Sequence, residues 1–391
     1  MVRSRRLLRA LGGLQVACSF SALAQSAPAT VIHPDATVVQ TISAGSVVSF
    51  GDEAMEFHRI VAIVPLRSGG LVVANGGSHQ LRFFDSAGRL VREVGRRGGG
   101  PGEYQQIGGV TALPGDSLLV WDGFARRATV LAPNGEYVRA FALQAPFEGG
   151  GSVMRAVALS TGDVLIGFSE ITTLAPSPVA RSFGERLLLY SADGQRRNQT
   201  ELRLASSDRF VQATSRDAGD VAYWSLAFGR SLTVRATPSG VATGDGTSWL
   251  VEMRDPRSLA ITKRSSVDRA VAPVTAADIA AYRERSLRGE IGPDRVVAER
   301  MVDEMPFPKT QPAFARFEVD ERGRIWFEEY VERRTAAPLW LRVDPGSRSS
   351  VAVRFPTRFQ PRAFASGLVF GILRDGNDVE HVVAYSLQGL P

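Results

Sequence analysis

The stretch with the most obvious chemical potential is Gly95–Tyr104, GRRGGGPGEY, in which two arginines precede a run of glycines. A glycine-rich loop binds phosphate when its backbone N–H groups and the N-terminus of a following helix face the anion. No Lys-Ser or Lys-Thr pair follows here, and the next segment is predicted to be a strand. The pattern therefore predicts a turn between two β units, anchored by Glu103 and Tyr104, with Arg96 and Arg97 exposed.

A second candidate site is the oxygen-rich segment that runs from Asp375 to Asp378 and continues with Glu380 and His381. A helix–loop–helix calcium site needs an alternating D-x-D-x-D-G ladder, which this segment lacks. Its place between two predicted strands favours a hairpin turn instead. Neither a zinc site nor a Ser-His-Asp set follows from the spacing of the other histidines, which are His33, His58 and His79. We therefore expect no cofactor and no metal site, with oxygen-only calcium binding as the open alternative.

The sequence also assembles no set of catalytic carboxylates or nucleophiles. Glu328 and Glu329 are adjacent on a predicted strand, so their side chains point to opposite faces and cannot act together as acid and base. The chain contains no G-x-S-x-G and no H-E-x-x-H motif. Its only lysines are Lys263 and Lys309, which leaves few candidates for a Schiff base. The sequence therefore names no catalytic residue.

The first residues have the pattern of a cleavable secretory signal. An arginine-rich head is followed by an apolar stretch at 10–23, and an A-x-A sequence at 22–24 closes it. We predict a signal peptide at 1–24, cleaved after Ala24, and therefore export to the periplasm or beyond the cell. The apolar stretch is too short to span a bilayer, so no transmembrane span is expected. Lipidation at Cys18 is disfavoured because Gln15 occupies the position where lipoprotein signals carry Leu.

Cleavage would change the charge and the cysteine content of the protein. Residues 1–24 contain four arginines and no acidic residue, so the mature chain keeps 42 basic and 40 acidic residues. That near balance is not the footprint of a nucleic-acid-binding protein, and we expect no nucleic-acid partner. The only cysteine leaves with the signal, so the mature protein has no disulfide and no thiolate ligand. Its stability must come from the burial of apolar side chains.

The rest of the chain is organised by a repeat of short apolar strands and glycine turns. A glycine separates a first strand from a second strand in six places, namely Gly70, Gly115, Gly162, Gly240, Gly323 and Gly367. In most copies a third strand follows and ends at a polar turn such as Asp85–Gly88, before a fourth strand. Four antiparallel strands in about 45 residues are typical of a propeller blade. We predict an all-β, single-domain, six-bladed β-propeller at 37–391, and we expect it to be a monomer.

The two ends of the chain are predicted to close the ring. The last repeat has only three strands, which are Gln360–Phe364, Leu368–Arg374 and Glu380–Ser386. Thr37–Ile42, TVVQTI, is a β-type run ahead of the first repeat, and we predict that it supplies the missing outer strand. Residues 25–36 contain two prolines and no sustained periodicity, which predicts a flexible lead.

Three insertions extend the repeat, at 170–185, 205–231 and 265–311. The second is predicted to be a long connection, and it contains Trp224, for which a binding role and a core role are both open. The insertions could form a binding surface, or they could cover the mouth of the central channel and stabilise the ring.

The third insertion is predicted to be helical near 274–305. Thr275 and Asp278 have the spacing of a capping box, with Asp in place of Glu, and Gly289 ends the first helix. A second helix is predicted from Pro293 to Pro306. One face of it is expected to carry Val296, Val297 and Met301.

These segments carry a family resemblance. The joint GRRGGGPGEY, with SHQLRFFDSAGRL before it and DSLLVWDGFARRATVLAPNGEYV after it, resembles the blade junctions of NHL-repeat six-bladed β-propellers. PVTAADIAAYRERSL, PAFARFEVDERGRIWFEEY and LRDGNDVEHVVAYSL look like segments of uncharacterised secreted bacterial propeller proteins. The resemblance covers about residues 60–389 and implies the fold. It leaves the function open, because NHL-type propellers include protein and nucleic-acid binders as well as lyase and lactonase relatives.

The links between strands predict where a ligand binds. In a four-stranded blade, links from the first to the second strand and from the third to the fourth emerge on one face, and the other links emerge on the opposite face. Every long segment belongs to the second class, so we place the ligand there, where structured loops usually bind. The candidate contacts are Arg96, Arg97, Tyr104 and Trp224. Packing between blades is expected for the tryptophans on predicted strands, Trp121, Trp249, Trp326 and Trp340.

The predicted function is recognition of an envelope protein, peptide or glycan by a secreted or periplasmic binding or scaffold propeller. Catalysis of lactonase, hydrolase or lyase type in the central channel is the alternative, and it needs polar side chains that converge there. The third hypothesis is that the protein is a structural subunit of an envelope assembly. A sequence cannot show convergence, so the choice depends on the tertiary structure.

Overall fold

The protein is represented by a computed structural model that describes residues 27–34, 39–42, 47–52, 55–145, 147, 151–170, 179–213, 221–332 and 338–390. Six sheets form the molecule, and most of their strand pairs are antiparallel. The first strand of each sheet contacts the first strand of the sheet on either side, which makes a closed ring of innermost strands. The predicted six-bladed β-propeller is therefore confirmed.

The strands and helices follow the chain in a simple order. Three short strands come first: β1 (Ala29–Ile32), β2 (Val39–Thr41) and β3 (Val47–Phe50). Blade 1 contains β4 (Ile60–Pro65), β5 (Leu71–Asn75), β6 (Gln80–Phe84) and β7 (Leu90–Val94). Blade 2 contains β8 (Ile107–Ala112), β9 (Leu118–Asp122), β10 (Arg127–Leu131) and β11 (Tyr137–Ala142). Blade 3 contains β12 (Val153–Ala158), β13 (Val164–Ser169), β14 (Val179–Tyr190), β15 (Arg196–Ala213) and β16 (Val221–Ser225).

The second half of the ring contains the two helices. Blade 4 contains β17 (Thr233–Thr237), β18 (Gly240–Gly244), β19 (Leu250–Arg254) and β20 (Ile261–Val267). The helices α1 (Ala276–Leu287) and α2 (Gly292–Glu304) lead to blade 5, which contains β21 (Phe314–Val319), β22 (Ile325–Glu329), β23 (Leu339–Asp344) and β24 (Ser349–Arg354). Blade 6 contains β25 (Phe359–Ala365), β26 (Leu368–Arg374) and β27 (Glu380–Ser386).

The burial of each strand reflects its place in the blade. A blade packs between two others, so both faces of its middle strands are covered. The second strand β5, LVVAN, is buried along its whole length, and β9, LLVWD, is buried at all but one position. Their sequences are consequently continuous apolar runs rather than alternating ones. The outer strand β7 is mostly exposed, and β11 is exposed at half of its positions and partly buried at the others. Trp249, Trp326 and Trp340 are buried between blades, as predicted.

Glycine occupies the turn positions that need a left-handed backbone. Gly115, Gly162 and Gly323 end the first strands of their blades with φ values of 76°, 85° and 76°. In blade 1 the positive φ, 92°, belongs to Gly69 rather than to the predicted Gly70. Gly88 has a second reason to be glycine, because a Cβ there would lie 2.0 Å from the carbonyl oxygen of Ser49 in β3.

The ring is closed by β3, and not by the predicted segment. β3 pairs antiparallel with β27 and becomes the fourth strand of blade 6. The prediction that Thr37–Ile42 closes the ring is therefore wrong. Within that segment β2 pairs parallel with β24 and adds a fifth strand to blade 5, while residues 37 and 38 lie outside the described residues.

The lead before it is also partly regular structure. β1 pairs parallel with β20 and adds a fifth strand to blade 4, and the side chain of Ile32 is buried there. The prediction of a flexible lead at 25–36 is therefore wrong for Ala29–Ile32. An outer strand presents a row of unpaired N–H and C=O groups, and a short β-type segment satisfies them. We call β1, β2 and β3 together the N-terminal belt, because they join the outer edges of blades 4, 5 and 6 in turn.

Much of the predicted loop in blade 3 forms paired strand. β14 and β15 continue beyond the blade as one long hairpin, and β16 pairs with the end of β15. The predictions of long connections at 170–185 and 205–231 are therefore wrong for most of the described residues there, while 171–178 and 214–220 lie outside them. Pairing satisfies backbone groups that a loop would leave to solvent. We call residues 179–186, 203–213 and 221–225 the blade-3 extension.

The helical insertion is confirmed, but the packed face of its second helix differs from the prediction. Thr275 Oγ1 accepts a hydrogen bond from the Asp278 backbone N–H at 3.2 Å, and Asp278 Oδ2 accepts one from the Thr275 N–H at 2.9 Å. This is the predicted capping box. In α2, Met301 is buried as expected, whereas Val296 and Val297 are exposed. Only the last turns of α2 reach the core, so its first turns project into solvent.

The closing strand supports a quantitative prediction. The Phe50 ring lies 5.9 Å from Phe84 of blade 1 and 6.0 Å from Phe370 of blade 6, so it joins the first and last blades. We expect Phe50→Ala to lower the free energy of unfolding by about 3–5 kcal/mol, the usual cost of truncating a buried phenylalanine. The matched control is Val39→Ala on β2, where the side chain is exposed and the expected loss is below about 1 kcal/mol. Equal losses in urea unfolding would contradict closure by β3.

Candidate functional site

The two faces of the ring differ in the length of their links, as the sequence predicts. We call the turn face the one that carries links from the first to the second strand and from the third to the fourth, all of which are short. The opposite insertion face carries the joint at 95–106, the blade-3 extension and the two helices. Among the described residues, the long links between strands and the helices therefore lie on one face of the ring only.

Exposed apolar side chains follow the same division. Among the described residues, no large exposed apolar side chain lies in a turn-face link. Phe124 and Ile291, both on the insertion face, are the most exposed at 74% and 80%. Apart from residues on the perimeter strands, the exposed set consists of Phe124, Tyr223, Ile291, Val296, Val297, Val331 and Val379 on the insertion face, with Val61 and Met154 at the channel end that opens onto it.

An aromatic cluster holds the two helices against blade 3. Phe210 and Phe228 pack with the buried end of α2. The Phe228 ring lies 6.4 Å from Tyr282 of α1 and 6.3 Å from Phe307, and Tyr282 and Phe307 are 5.9 Å apart. Such pairs each contribute roughly 0.5–1.5 kcal/mol beyond the area they bury. The helices and the blade-3 extension therefore form one rigid body on the insertion face, which we call the ridge.

Polar contacts fasten the ridge to blade 5. Arg285 of α1 forms an ion pair with Glu332 at 2.6 Å, and the Tyr330 hydroxyl donates to the same carboxylate. Burial, followed by the Glu332 carboxylate, raises the pKa of Tyr330, so the phenol stays protonated and remains a donor. Glu329 pairs with Arg269, which follows β20, at 2.5 Å. The ridge thus spans blades 3 to 5.

The joint at 95–106 is organised around Glu103, as predicted. Glu103 accepts from Arg96 Nε and from the Gly100 N–H, both at 2.8 Å. The side chains of Arg96 and Arg97 are exposed, which leaves them accessible on the insertion face. Tyr104 is only 1% exposed and packs between blades 1 and 2, so the prediction that it contacts a ligand is wrong. The buried ring of Tyr104 holds the end of the joint against the core, just before β8 begins at Ile107.

Trp224 lies on a strand rather than on the predicted loop. It belongs to β16, and its ring packs against the ridge cluster while remaining partly accessible. Its indole Nε1 has no hydrogen-bond partner among the described residues. A contact of Trp224 with a ligand stays a prediction, as it does for Arg96 and Arg97.

Four arginines on consecutive innermost strands surround the central channel, and three of them reach the next blade. Arg155 of β12 donates to the Leu232 carbonyl at 3.3 Å. Arg235 of β17 donates through Nε to Glu318 Oε2 at 2.6 Å. Arg316 of β21 donates through Nη2 to the Pro361 carbonyl at 2.6 Å. These contacts connect blades 3, 4, 5 and 6 in sequence around the channel.

The glutamates beside these arginines are already engaged. Glu185 accepts from Arg155 at 2.6 and 2.9 Å. Glu318 accepts from Arg235 and Arg316, and Glu328 accepts from Arg316 at 2.5 Å. Glu328 and Glu329 face different partners, which confirms that they do not act together. A carboxylate held by a guanidinium is a weak general base. These side chains therefore present donors to the channel rather than free carboxylates.

Arg362 is the fourth arginine, and it differs from the others. It is the extra residue of a β-bulge in β25, because Pro361 and Ala363 pair with the adjacent residues Gly371 and Phe370. A bulge re-aims its side chain, and solvent reaches this innermost strand through the channel. No carboxylate of the described residues lies within ion-pair distance of Arg362. Loss of hydration, and then the nearby Arg316, lower its pKa.

The position of Glu185 depends on Gly167, a glycine that no sequence motif singles out. The Glu185 side chain is fully buried and crosses β13 to reach Arg155. A Cβ on Gly167 would lie 2.0 Å from Glu185 Oε1, so only glycine leaves room for the carboxylate. The ion pair therefore rests on three strands of one blade.

This arrangement gives a second prediction. Gly167→Ala should displace the Glu185 carboxylate and leave a buried charge partly unpaired, at a cost of about 3–5 kcal/mol in unfolding free energy. The control is Gly376→Ala, because nothing lies within 4 Å of a Cβ there. Urea unfolding of both variants provides the measurement. A Gly167→Ala protein as stable as the control would show that Glu185 is not held as described.

Blades 1, 2 and 3 share a polar contact near the point where the innermost strand enters the ring. Asn75 Oδ1 accepts from the His58 N–H, Asp122 Oδ2 from the Gln105 N–H, and Ser169 Oγ from the Ser152 N–H, at 2.8, 2.6 and 3.0 Å. Donor and acceptor are 17 residues apart in all three blades. Aligning the segments LVVANGG, LLVWDGF and LIGFSE would have found this signal in the sequence, although the residue types differ.

The geometry of the described residues offers no candidate site for a metal ion or a cofactor. Among the described residues, no group of three or more His, Cys, Asp or Glu side chains is placed to hold a metal ion. Asp375 Oδ1 accepts from the N–H groups of Asn377 and Val379 at 2.8 and 3.0 Å, which confirms the hairpin turn. These bonds lower the pKa of Asp375. Calcium binding stays untested.

The class of protein is thus a six-bladed β-propeller, and comparison with known proteins agrees. The sequence matches no protein-family model and no curated protein. A Bacteroides fragilis protein named as a candidate exported protein has a TM-score of 0.52 at 10% identity, over 92% of this chain and 99% of that one. A Bacteroides vulgatus member of the DUF4221 family gives 0.47 at 10% identity, over 88% and 97%. A streptogramin B lyase gives 0.45 at 10% identity, over 87% and 97%. At 10% identity the first of these likenesses supports the fold alone, and the two with TM-scores below 0.5 carry no argument.

Proposed function

We propose that this chain is an exported binding propeller that recognises a protein, peptide or glycan of the envelope through its insertion face. The observation that carries the proposal is the distribution of exposed apolar side chains among the described residues: they avoid the turn-face links, and those away from the perimeter strands lie on the insertion face or at the channel end that opens onto it. Exposed apolar groups in one region of a surface are typical of interaction sites. Membership of the NHL-repeat family stays a prediction.

The residue types on this face support a binding role. Interfaces are enriched in aromatic residues and arginine and depleted in lysine. The insertion face offers Phe124 and Tyr223 together with the exposed arginines Arg96 and Arg97. The aliphatic surface of the ridge, formed by Ile291, Val296 and Val297, favours a protein or peptide over a glycan at that point. The aromatic rings are also suited to stacking on a sugar.

Rigidity supports the same function. The ridge is held by the aromatic cluster and by the Arg285–Glu332 ion pair, so its exposed side chains occupy fixed positions. A preorganised surface loses less conformational entropy on binding than a mobile loop does. The alternative hypothesis, in which the ridge only stabilises the ring, assigns no role to the exposed side chains of Val296 and Val297.

Catalysis in the channel is the alternative function. Its supporting observation is Arg362, which has no carboxylate partner among the described residues and could orient an anionic substrate. The neighbouring glutamates are engaged by arginines, so no side chain stands out as general base. Binding at the insertion face is therefore the better-supported function.

The proposal predicts a loss of binding without a loss of folding. In the double variant Ile291→Ser and Val297→Ser, we expect capture of the envelope partner to fall at least about tenfold, because two exposed apolar contacts of more than about 1 kcal/mol each are removed. The measurement is the dissociation constant of the partner that the wild-type protein captures from solubilised envelopes. The melting temperature should change little, because both side chains are exposed.

The control changes the same chemistry at the perimeter. Leu90→Ser with Val91→Ser removes two exposed apolar side chains from β7, far from the insertion-face links. Partner capture should survive in this variant. Equal capture by both double variants, or loss in both, would contradict the proposal.

Export is a separate part of the proposal. No helix among the described residues is long and apolar enough to cross a bilayer. We propose that the signal at 1–24 directs export and is removed after Ala24, so the secreted protein should begin at Gln25. Ala24→Asp should block processing, because signal cleavage requires a small residue at that position, while Ala27→Asp should be processed normally. Mass spectrometry of the exported fraction distinguishes the two, and normal processing of Ala24→Asp would refute the assigned site.

A further inference from the structure

A cleft of about 250 Å³, lined by both polar and apolar side chains, opens on the turn face between blades 4 and 5. One wall is the outer half of blade 4, with Met253 on β19 and Lys263 and Ser265 on β20. The other wall consists of two turns of blade 5, which contribute Arg322 and Pro345. The cleft is on the opposite side of the ring from the insertion face. It is therefore independent of the function proposed above.

At two other blade junctions, an arginine of the fourth strand contacts the next blade. Arg92 of β7 donates to the Asn134 carbonyl of blade 2 at 2.8 Å, and Arg139 of β11 donates to the Ala192 carbonyl of blade 3 at 2.7 Å. Each arginine bridges its blade to the turn between the third and fourth strands of the next blade. We call this contact the arginine clasp.

Lys263 occupies the clasp position in blade 4. Arg92 pairs with Phe83, Arg139 with Val130 and Lys263 with Met253, and each partner is the fourth residue of its third strand. A lysine is shorter than an arginine and has no guanidinium fork. No hydrogen bond or ion pair joins the Lys263 ammonium to another described residue. Lys263 therefore makes no clasp to blade 5, and its side chain lines the cleft instead.

The floor of the cleft carries a second unsatisfied group. Ser265 is 2% exposed, and its hydroxyl has no hydrogen-bond partner among the described residues. A buried hydroxyl without a partner is unfavourable, so such groups usually have a protein, water or ligand partner. Ser265 and Lys263 are two residues apart on one strand, so they share a face. The cleft thus combines a hydroxyl at its floor with an ammonium above it.

The charge of the rim selects the class of ligand. Lys263 and Arg322 contribute two cations, and Glu321 contributes one anion. The volume equals that of roughly eight water molecules at about 30 Å³ each, which is below the range of about 300–1,000 Å³ typical of drug-sized ligands. Pro345 and Met253 provide apolar contacts for the body of such a ligand.

We propose that this cleft binds a small hydroxylated oxyanion, of the size of a sugar acid or a sugar phosphate. Lys263 and Arg322 bind the carboxylate or phosphate, and Ser265 forms a hydrogen bond with a polar group at the floor. Lysine acetylation can test this site, because the chain has only two lysines. Lys263 lines the cleft, whereas Lys309 is exposed, is not among the residues that line the cleft, and serves as an internal control.

The first test is acetylation of the wild-type protein, followed by mass spectrometry. Glucuronate, glucose 6-phosphate, inorganic phosphate and neutral glucose are added in turn at 10 mM, on the order of the millimolar affinity expected for a small ligand. We expect glucuronate or glucose 6-phosphate to slow acetylation of Lys263 at least about fivefold. Lys309 should react at its usual rate, and glucose should have no effect. Protection by glucuronate alone identifies a carboxylate ligand, and protection by glucose 6-phosphate and inorganic phosphate identifies a phosphate ligand.

The second test uses variants. The protecting ligand should raise the melting temperature of the wild type by about 1–2 °C, and Lys309→Gln should respond in the same way. Lys263→Gln and Ser265→Ala should not respond. Ser265→Ala removes an unsatisfied hydroxyl, so it is expected to fold at least as well as the wild type. Unchanged acetylation of Lys263 with every compound, equal protection of Lys309, or a ligand response that survives in both cleft variants would overturn the proposal.

Discussion

The constraint on which the whole structure depends is that a propeller blade is apolar on both faces and is stable only between two others. The junction between the first and last blades therefore carries the stability of the entire ring, because the chain does not connect them directly. Here β3 gives blade 6 its fourth strand, and Phe50 fills the space between Phe84 and Phe370. Glu380 of β27 adds a polar contact by accepting from the Ile60 N–H at 3.0 Å.

The other junctions satisfy the same requirement with different polar groups. Asp116 accepts from the N–H groups of Arg67 and Ser68, both at 2.9 Å, and joins blades 1 and 2. Thr111 Oγ1 accepts from the Ala158 N–H at 3.2 Å and joins blades 2 and 3. Arginines of the inner strands join blades 3 to 6. Because every junction has its own contact, the ring is closed between blades 4 and 5 although Lys263 makes no arginine clasp there.

A ring held in this way leaves its two faces free to differ. The insertion face carries the ridge, the arginine-bearing joint and nearly all of the exposed apolar side chains away from the perimeter. The turn face carries short turns and the cleft between blades 4 and 5. A large, partly apolar surface suits a macromolecular partner, whereas a cleft of about 250 Å³ suits a small polar ligand. The same scaffold can therefore present two kinds of site without conflict between them.

The sequence by itself determined the features that are local. Turn glycines and apolar runs predicted the repeat, and the bounds of β26 and β27 agree with those predicted, because hairpin turns and strand alternation depend on neighbouring residues. The capping box of α1 was predicted for the same reason. The tertiary structure alone decided which outer edge each strand of the N-terminal belt joins, since every outer edge offers a similar row of unpaired N–H and C=O groups. It also decided that Tyr104 is buried and that Val296 and Val297 are exposed. It placed Lys263 in the wall of the cleft between blades 4 and 5. Those outcomes depend on which blades and helices become neighbours, and residues far apart in the chain carry no local signal of that contact.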